Sequence, residues 1–471
     1  MPLLLLLASR IFIWKVLPFA SEDAYITFRY ARDFASGFGL VYNPGERVFG
    51  FSSPPWTLWS AAGYALLRNP LLWTRATSLV ADLLTLLLVG RMLERHADRE
   101  AGGPSPAAIF GYFFAVWPYF GVVSASGMEM SAMLALIALT AALATRGSPI
   151  AGVALGVLAL WRPEGLAAAA VLGLGARPRA RWIALAIAAA GIGALTWYFG
   201  SPVPQSMTAK AALYGTPGPW AGRFWWNWVL PVIDTKAQIE GGLLLPFAVL
   251  TGPALVAAVG PLWRRRRSAL AFFVAACLVI WAGYALLGVA YFYWYLLVPL
   301  GGVAALAASG LPRLVRSRLV YAAAAVLVLS CWSVGYTLYV GRAQNEYNGF
   351  AQTARLLRAS ARPGSKVLLE PIGMVGYDCP LAVVDETGLV SPAVARRRLQ
   401  GAGWYTDTEA AERPDWIVIR QGVLASGRGF AGFGAPFRSS AERDSLLARY
   451  QITDRIGDGE NSLVILRRVR S

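Results

Sequence analysis

PLLLLLASRIFIWKVLPFASEDAYITFRYARDFASGFGLVYNPGERVFGFSSPPWTL, residues 2–58, joins an apolar run directly to a polar, aromatic-rich segment. Within 3–17 the only charges are Arg10 and Lys15, and no small-residue cleavage site precedes Ser21. The run therefore reads as a retained first membrane helix and not as a signal peptide. Residues 19–53 read as a loop on the membrane surface, with Glu22-Asp23 at the helix exit, the depth of a lipid headgroup. A helix over 23–36 would place Glu22, Ile26, Arg29 and Asp33 on one face, presenting carboxylate and guanidinium together. Such a pair suits group transfer from a lipid phosphate, the carboxylate taking a proton and cations holding the departing phosphate. The competing reading is structural: Asp23 caps the helix and Arg29 snorkels to headgroups.

The rest of the chain has the composition of a membrane protein. Of 471 residues 56% are apolar, above the roughly 45–50% of soluble domains, and mean hydropathy is +0.50. Further apolar stretches lie at 54–69, 72–93, 106–124, 128–145, 149–175, 181–199, 242–262, 269–288, 290–309 and 319–340. Several approach the ~20 residues needed to cross a bilayer, giving a polytopic α-helical protein with about 10–12 transmembrane helices.

The net charge of +17 is carried largely by short clusters between apolar runs: Arg177, Arg179, Arg181; Arg264–Arg267; Arg313, Arg316, Arg318. They fit the positive-inside pattern, so nucleic-acid binding is not expected. They place the loop 200–241 and everything after 340 outside. Strict alternation over the first half puts Gly127-Met128-Glu129 inside and the basic 91–99 stretch outside, against that pattern. A half-length helix at 54–69, or a split at Arg162-Pro163, removes the conflict.

Residues 341–471 change character. A surface helix over 343–361 precedes β-rich runs at 366–372, 381–385, 416–419 and 462–468, which predicts a small extracytoplasmic α/β domain after a 1–340 membrane module. Asp378 and Asp385-Glu386 fall at strand ends, and no catalysis is assigned to them. Three scattered cysteines suggest neither a disulfide framework nor a metal site, and the lone His96 makes a Ser-His-Asp triad improbable.

Other ionisable residues sit within apolar surroundings, where unpaired charge costs roughly 2.5–3.5 kcal/mol on insertion scales. Arg162 and Glu164 flank the Pro163 break and are expected to line a cavity. Glu129 reads either as a helix cap or as a site residue. Asp82 reads as a structural partner of a neighbouring helix. In 200–241, Lys210 suits a lipid phosphate, while Arg223 stands among Trp220, Trp225, Trp226 and Trp228, which fit either an aromatic belt or a sugar platform.

EDAYITFRYARDFASGFGLVYNPGERVFGFSSPPWTL resembles the first external loop of GT-C membrane glycosyltransferases, and is most similar to the terminal arabinofuranosyltransferase-like branch. SGMEM at 126–130, WRPEG at 161–165, YFGSPVPQSMTAK at 198–210 and IGMVGYDCPLAVVDETGLVSP at 372–392 match in order, so the likeness covers most of the chain. Glu22, Met130 and Gln205 depart from the commoner Asp, Thr and Asn. The resemblance implies transfer of a sugar, arabinofuranose in this branch, from a polyprenyl-phosphate donor to a cell-envelope glycan or lipid-linked acceptor. It further implies a site on the extracytoplasmic face of a bacterial inner membrane. Asp23 would be the catalytic base beside Glu22, with Arg29, Lys210 and Arg162 on the donor phosphate. Tyr25, Glu46, Arg47, Glu129, Glu164, Arg223 and Trp225 would contact substrate. No cofactor is required, although Glu22 and Asp23 offer oxygen ligands to a divalent ion. Retention and inversion both stay open. The alternatives are a transporter or flippase and a non-catalytic assembly factor; no internal symmetry of the transporter kind is visible.

Overall fold

The computed structural model describes residues 1–97, 104–215, 252–289, 292–315, 317, 319, 321, 341, 343–425 and 434–469. Helix α1 (Pro2–Val16) is followed by α2 (Glu22–Ala35), then by α3 (Pro54–Leu67) and α4 (Pro70–His96). At 14 residues α3 is too short to span ~30 Å of hydrocarbon, as anticipated for 54–69. Helices α5 (Pro106–Val116) and α6 (Pro118–Ala125) meet at a 57° bend where Pro118 interrupts the run. After α7 (Met130–Thr145), the stretch 149–175 is broken into α8 (Ile150–Trp161) and α9 (Gly165–Gly173). Arg162 at the break is extended, with φ −157° and ψ 161°, the conformation favoured before a proline. Next come α10 (Pro178–Phe199), α11 (Gln205–Gly215), a helix over 252–264, and the helices Ala269–Leu286 and Leu297–Leu314.

Among the described residues four helical segments are long and apolar enough to cross a membrane, and the bent pair α5–α6 makes a fifth. The chain is a multi-pass membrane protein. Most of the expected 319–340 span, and part of 242–262, lie outside the described residues.

Contacts at the helix ends resolve the conflict over sidedness. The Arg265 guanidinium donates to the carbonyls of Arg95 and His96, so the basic end of α4 lies beside the 264–267 cluster. At the other end, Ser21 N–H donates to Ser126 O at 2.7 Å and Trp56 Nε1 donates to Gly127 O at 3.0 Å. The 127–129 turn therefore shares a side with the 19–53 segment, as the short α3 requires. Within the bundle the buried Arg10 Nε donates to Asp82 Oδ2 at 2.7 Å, and its other nitrogens donate to Phe114 O and Ala115 O at the end of α5. Asp82 is thus the structural partner expected of it.

The C-terminal region is helical over 343–360 and then forms a five-stranded sheet in the order β2-β1-β3-β5-β4. The strands are β1 (Lys366–Leu369), β2 (Ala382–Asp385), β3 (Trp416–Arg420), β4 (Tyr450–Ile456) and β5 (Leu463–Arg468). β1 pairs in parallel with β2 and β3, while β5 is antiparallel to β3 and β4. β4 escapes the sequence pattern because it is an edge strand whose residues 451–453 and 455 are exposed, so no apolar alternation marks it.

Alternation along β1 and β3 sends Leu368 and Ile417 to one core, and Val367, Leu369 and Val418 to another. That second core also holds Ile26, Tyr30, Tyr42, Phe49 and Phe51 from the 19–53 segment. At roughly 1.5–3 kcal/mol per fully buried large apolar side chain, this shared core ties loop and sheet into one packed body.

Candidate active site

Two faces of α2 do two different jobs. Ser21, not Asp23, occupies the N-cap position, and Glu22 and Asp23 stand in the first turn, where the helix dipole favours carboxylates. The Glu22 carboxylate accepts the backbone N–H groups of Gly373 at 2.5 Å and Met374 at 2.9 Å, in the chain that follows β1. Burial pushes its carboxyl up to about 8 against the pull of those two bonds. Arg29, 2% exposed, donates to Tyr42 O, Gly376 O and Leu381 O at 2.6–2.8 Å and to Asn43 Oδ1 at 3.3 Å. Its guanidinium also stacks 4.2 Å from the Tyr42 ring. Two expectations are therefore corrected: Glu22 and Arg29 share a face, but that face seats the α/β unit and neither residue lines the pocket.

A methionine at position 29 would leave buried acceptors without donors, at about 1–3 kcal/mol each. Arg29→Met is expected to lower the thermal midpoint and open the 341–380 region to limited proteolysis. Arg29→Lys, which keeps the charge but not the fork, should rescue little of this. Wild-type stability of the lysine variant would show that the fork is dispensable.

Asp23 points the other way, into a pocket. Its polar lining includes Asp23, Lys210, Glu129, Arg162, Ser52 and Ser206; Phe51, Trp294, Tyr295 and Leu389 are among its other walls. Lys210 Nζ lies 3.2 Å from Asp23 Oδ2, the two side chains 20% and 24% exposed, and 4.2 Å from the Phe292 ring centroid. Deeper in, Arg162 is gripped by two carboxylates, Glu129 on Nη1 and Glu164 on Nε at 2.5 Å. Tyr284 Oη donates to the same Glu164 oxygen at 2.5 Å, and the Tyr295 ring lies 4.8 Å from the Arg162 guanidinium. The extended backbone before Pro163 swings Arg162 off the α8 axis and lets one guanidinium meet both acids.

The remaining sequence candidates are scattered. Glu164 stands behind Arg162 and does not line the pocket. Tyr25 is a core residue: its hydroxyl accepts from Ala20 N–H, and its ring packs against Phe28 and Tyr377. Glu46 and Arg47 are exposed and away from the pocket lining; Glu46 accepts from Asn43 Nδ2, and Arg47 stacks on Tyr198. Arg223 and Trp225 lie outside the described residues. Conversely Ser52, Ser206 and Leu389 were not singled out from the sequence. Ser206 was recoverable, since it precedes Lys210 by four residues and so shares its helix face. Its buried hydroxyl has no hydrogen-bond partner among the described residues.

The architecture has solved counterparts. The structure of ArnT from Cupriavidus metallidurans bound to undecaprenyl phosphate is similar over 98% of this chain and 97% of that one, with a TM-score of 0.61 and 12% identity. Its apo state is similar over 95% and 94%, with a TM-score of 0.59 and 12% identity. The arabinofuranosyltransferase AftD from mycobacteria has a TM-score of 0.45 at 15% identity, and this chain spans 41% of its length. Residues 336–464 match a family described as a domain of unknown function, DUF8728. No curated protein matches the sequence. By fold the chain is a multi-pass membrane protein with the architecture of ArnT and a five-stranded α/β unit at its C-terminal end.

Proposed function

We propose that this protein is a membrane glycosyltransferase that moves a sugar from a polyprenyl phosphate to an acceptor hydroxyl on the extracytoplasmic face. The carrying observation is the Asp23–Lys210 pair at 3.2 Å in a pocket between membrane helices and the α/β unit. It is supported by likeness of fold to ArnT, whose structure holds undecaprenyl phosphate. Asp23 accepts the acceptor's proton as the new glycosidic bond forms, and the bond from sugar to phosphate breaks. The lipid phosphate leaves with one more negative charge, which Lys210 offsets.

Magnitudes assign the two cations. Lys210, a compact cation on a flexible stem and less buried than Arg162, turns from Asp23 to an arriving phosphate and frees the base. Separating Arg162 from its two buried carboxylates costs about 3–5 kcal/mol, so it stays in place, its charge taken up by Glu129 and Glu164, as a fixed part of the pocket wall. The donor sugar we propose is arabinofuranose, on the resemblance of residues 22–58 to that branch.

The test is transfer by purified protein from a short-chain polyprenyl-phosphate arabinose to an oligo-arabinoside. Lys210→Met should raise the donor KM by about tenfold or more, the loss of one charge-assisted contact, with an unchanged melting temperature. Absence of product from wild type with any of several lipid-phosphate sugars would replace catalysis by transport.

A further inference from the structure

We infer that the segment 386–390, which follows β2, forms the acceptor-side wall of the pocket, so that the C-terminal unit sets which hydroxyl compound reaches Asp23. The inference rests on the glycosyltransferase reading above. Leu389 comes from this segment and lines the pocket alongside Asp23.

The segment's shape is held from several directions. Asp385, fully buried, accepts Thr387 N–H at 2.7 Å and Thr387 Oγ1 at 2.6 Å on one oxygen, and Val390 N–H at 3.0 Å on the other. Its own N–H donates to Ser391 Oγ at 3.0 Å. Gly388 has φ +81°, and a Cβ there would lie 2.8 Å from Ala395 N and Cβ, so no side chain fits.

The same segment packs against the helix that carries Lys210 and against the 19–53 segment. Gln205, at the start of the helix that carries Lys210, donates from Nε2 to Gly388 O at 3.0 Å. Gly50 lies so close beneath that a Cβ would be 2.7 Å from Val390 Cγ1. On the Asp23 side, Glu22 and Arg29 fasten α2 to the chain between β1 and β2.

Sidedness gives the wall its substrate. Met128, Glu129, Arg162, Trp294 and Tyr295 approach from the membrane helices, which on the reading above makes theirs the side of a donor on a lipid tail. Leu389 closes the pocket from the α/β unit, at the carboxyl end of a parallel strand, where such sheets characteristically carry binding loops. The face it guards is the one open to a glycan hydroxyl. The Ser206 hydroxyl, without a hydrogen-bond partner among the described residues, lies on the same pocket surface and offers that glycan a hydrogen bond.

Initial rates of the transfer assay at varied donor and varied acceptor test this. Leu389→Trp should raise the acceptor KM by about tenfold or more while the donor KM stays within about twofold, the pattern of a blocked acceptor subsite. Undecaprenyl phosphate affinity, titrated by calorimetry, should be unchanged. Leu399→Trp, an exposed leucine of the same unit, serves as the folded control and should match wild type. If the tryptophan variant does not fold, Leu389→Ala carries the test, with an acceptor KM shifted about threefold or more and an unshifted donor KM. An effect confined to the donor, or wild-type values for both KM in a folded variant, overturns the inference. Absence of transfer by wild type overturns the functional reading and this inference with it. Transfer indifferent to Leu389 overturns this inference alone.

Discussion

Asp23→Asn is expected to reduce transfer by about 10²–10⁴-fold, the range that a positioned general base supplies, while the protein folds and still binds undecaprenyl phosphate. Two carboxylates line the pocket among the described residues, Asp23 and Glu129. Glu129 is buried against Arg162 and shares that guanidinium with Glu164, so a proton placed on it would break a desolvated pair. Asp23 is partly open, and its cation is a lysine on a flexible stem. Asparagine keeps the shape and the first-turn position on α2 but cannot take a proton. The lost ion pair is worth about 0–1 kcal/mol, so the melting temperature of the purified protein should hardly move. Transfer within about tenfold of wild type would remove Asp23 from the chemistry, since so small a loss is below what general-base catalysis contributes.

What the sequence made legible, and what it hid, follows the range of the interactions involved. Helical spacing alone put Glu22, Ile26, Arg29 and Asp33 on one face of α2, and the structure has that helix over Glu22–Ala35. Spacing does not say what covers a face. The cover comes from Gly373, Gly376 and Leu381, some 350 residues later, so a pair that suits a phosphate turns out to seat a sheet. Pro163 made the break between α8 and α9 readable, because the restraint on the preceding residue is local. That one guanidinium would then collect both Glu129 and Glu164 depends on how α7, α8 and α9 pack, which no local rule contains.

The motif around Lys210 was informative for the same reason that its neighbours were overlooked. YFGSPVPQSMTAK drew attention to its one charge, and the structure brings that charge to Asp23, 187 positions away. Ser206 and Gln205 looked ordinary in the same string. One leaves a buried hydroxyl in the pocket, and the other holds the helix against Gly388 O. Their roles come from what the α/β unit presents to them. The small unit thus reads as part of the pocket's construction and not as an appendage to it.

Arg162→Met is expected to cost about 3–5 kcal/mol of stability, the largest such loss anticipated for a pocket residue. The side chain is 3% exposed and lies between Glu129, also 3% exposed, and Glu164, 13% exposed. Methionine is shorter and fills only part of the space, and it leaves two desolvated carboxylates facing each other with Tyr284 Oη on one of them. Removing the charges as well tests the cause: the triple variant with Glu129→Gln and Glu164→Gln should recover most of the thermal midpoint, because a neutral cluster of similar volume avoids the ionic penalty. Arg162→Lys should fall between, keeping one charge but losing the fork that spans both acids. Midpoints measured in one detergent separate this from a phosphate-ligand role. A methionine variant that melts like wild type and loses only undecaprenyl phosphate affinity would make Arg162 the mobile cation and reverse its assignment with Lys210.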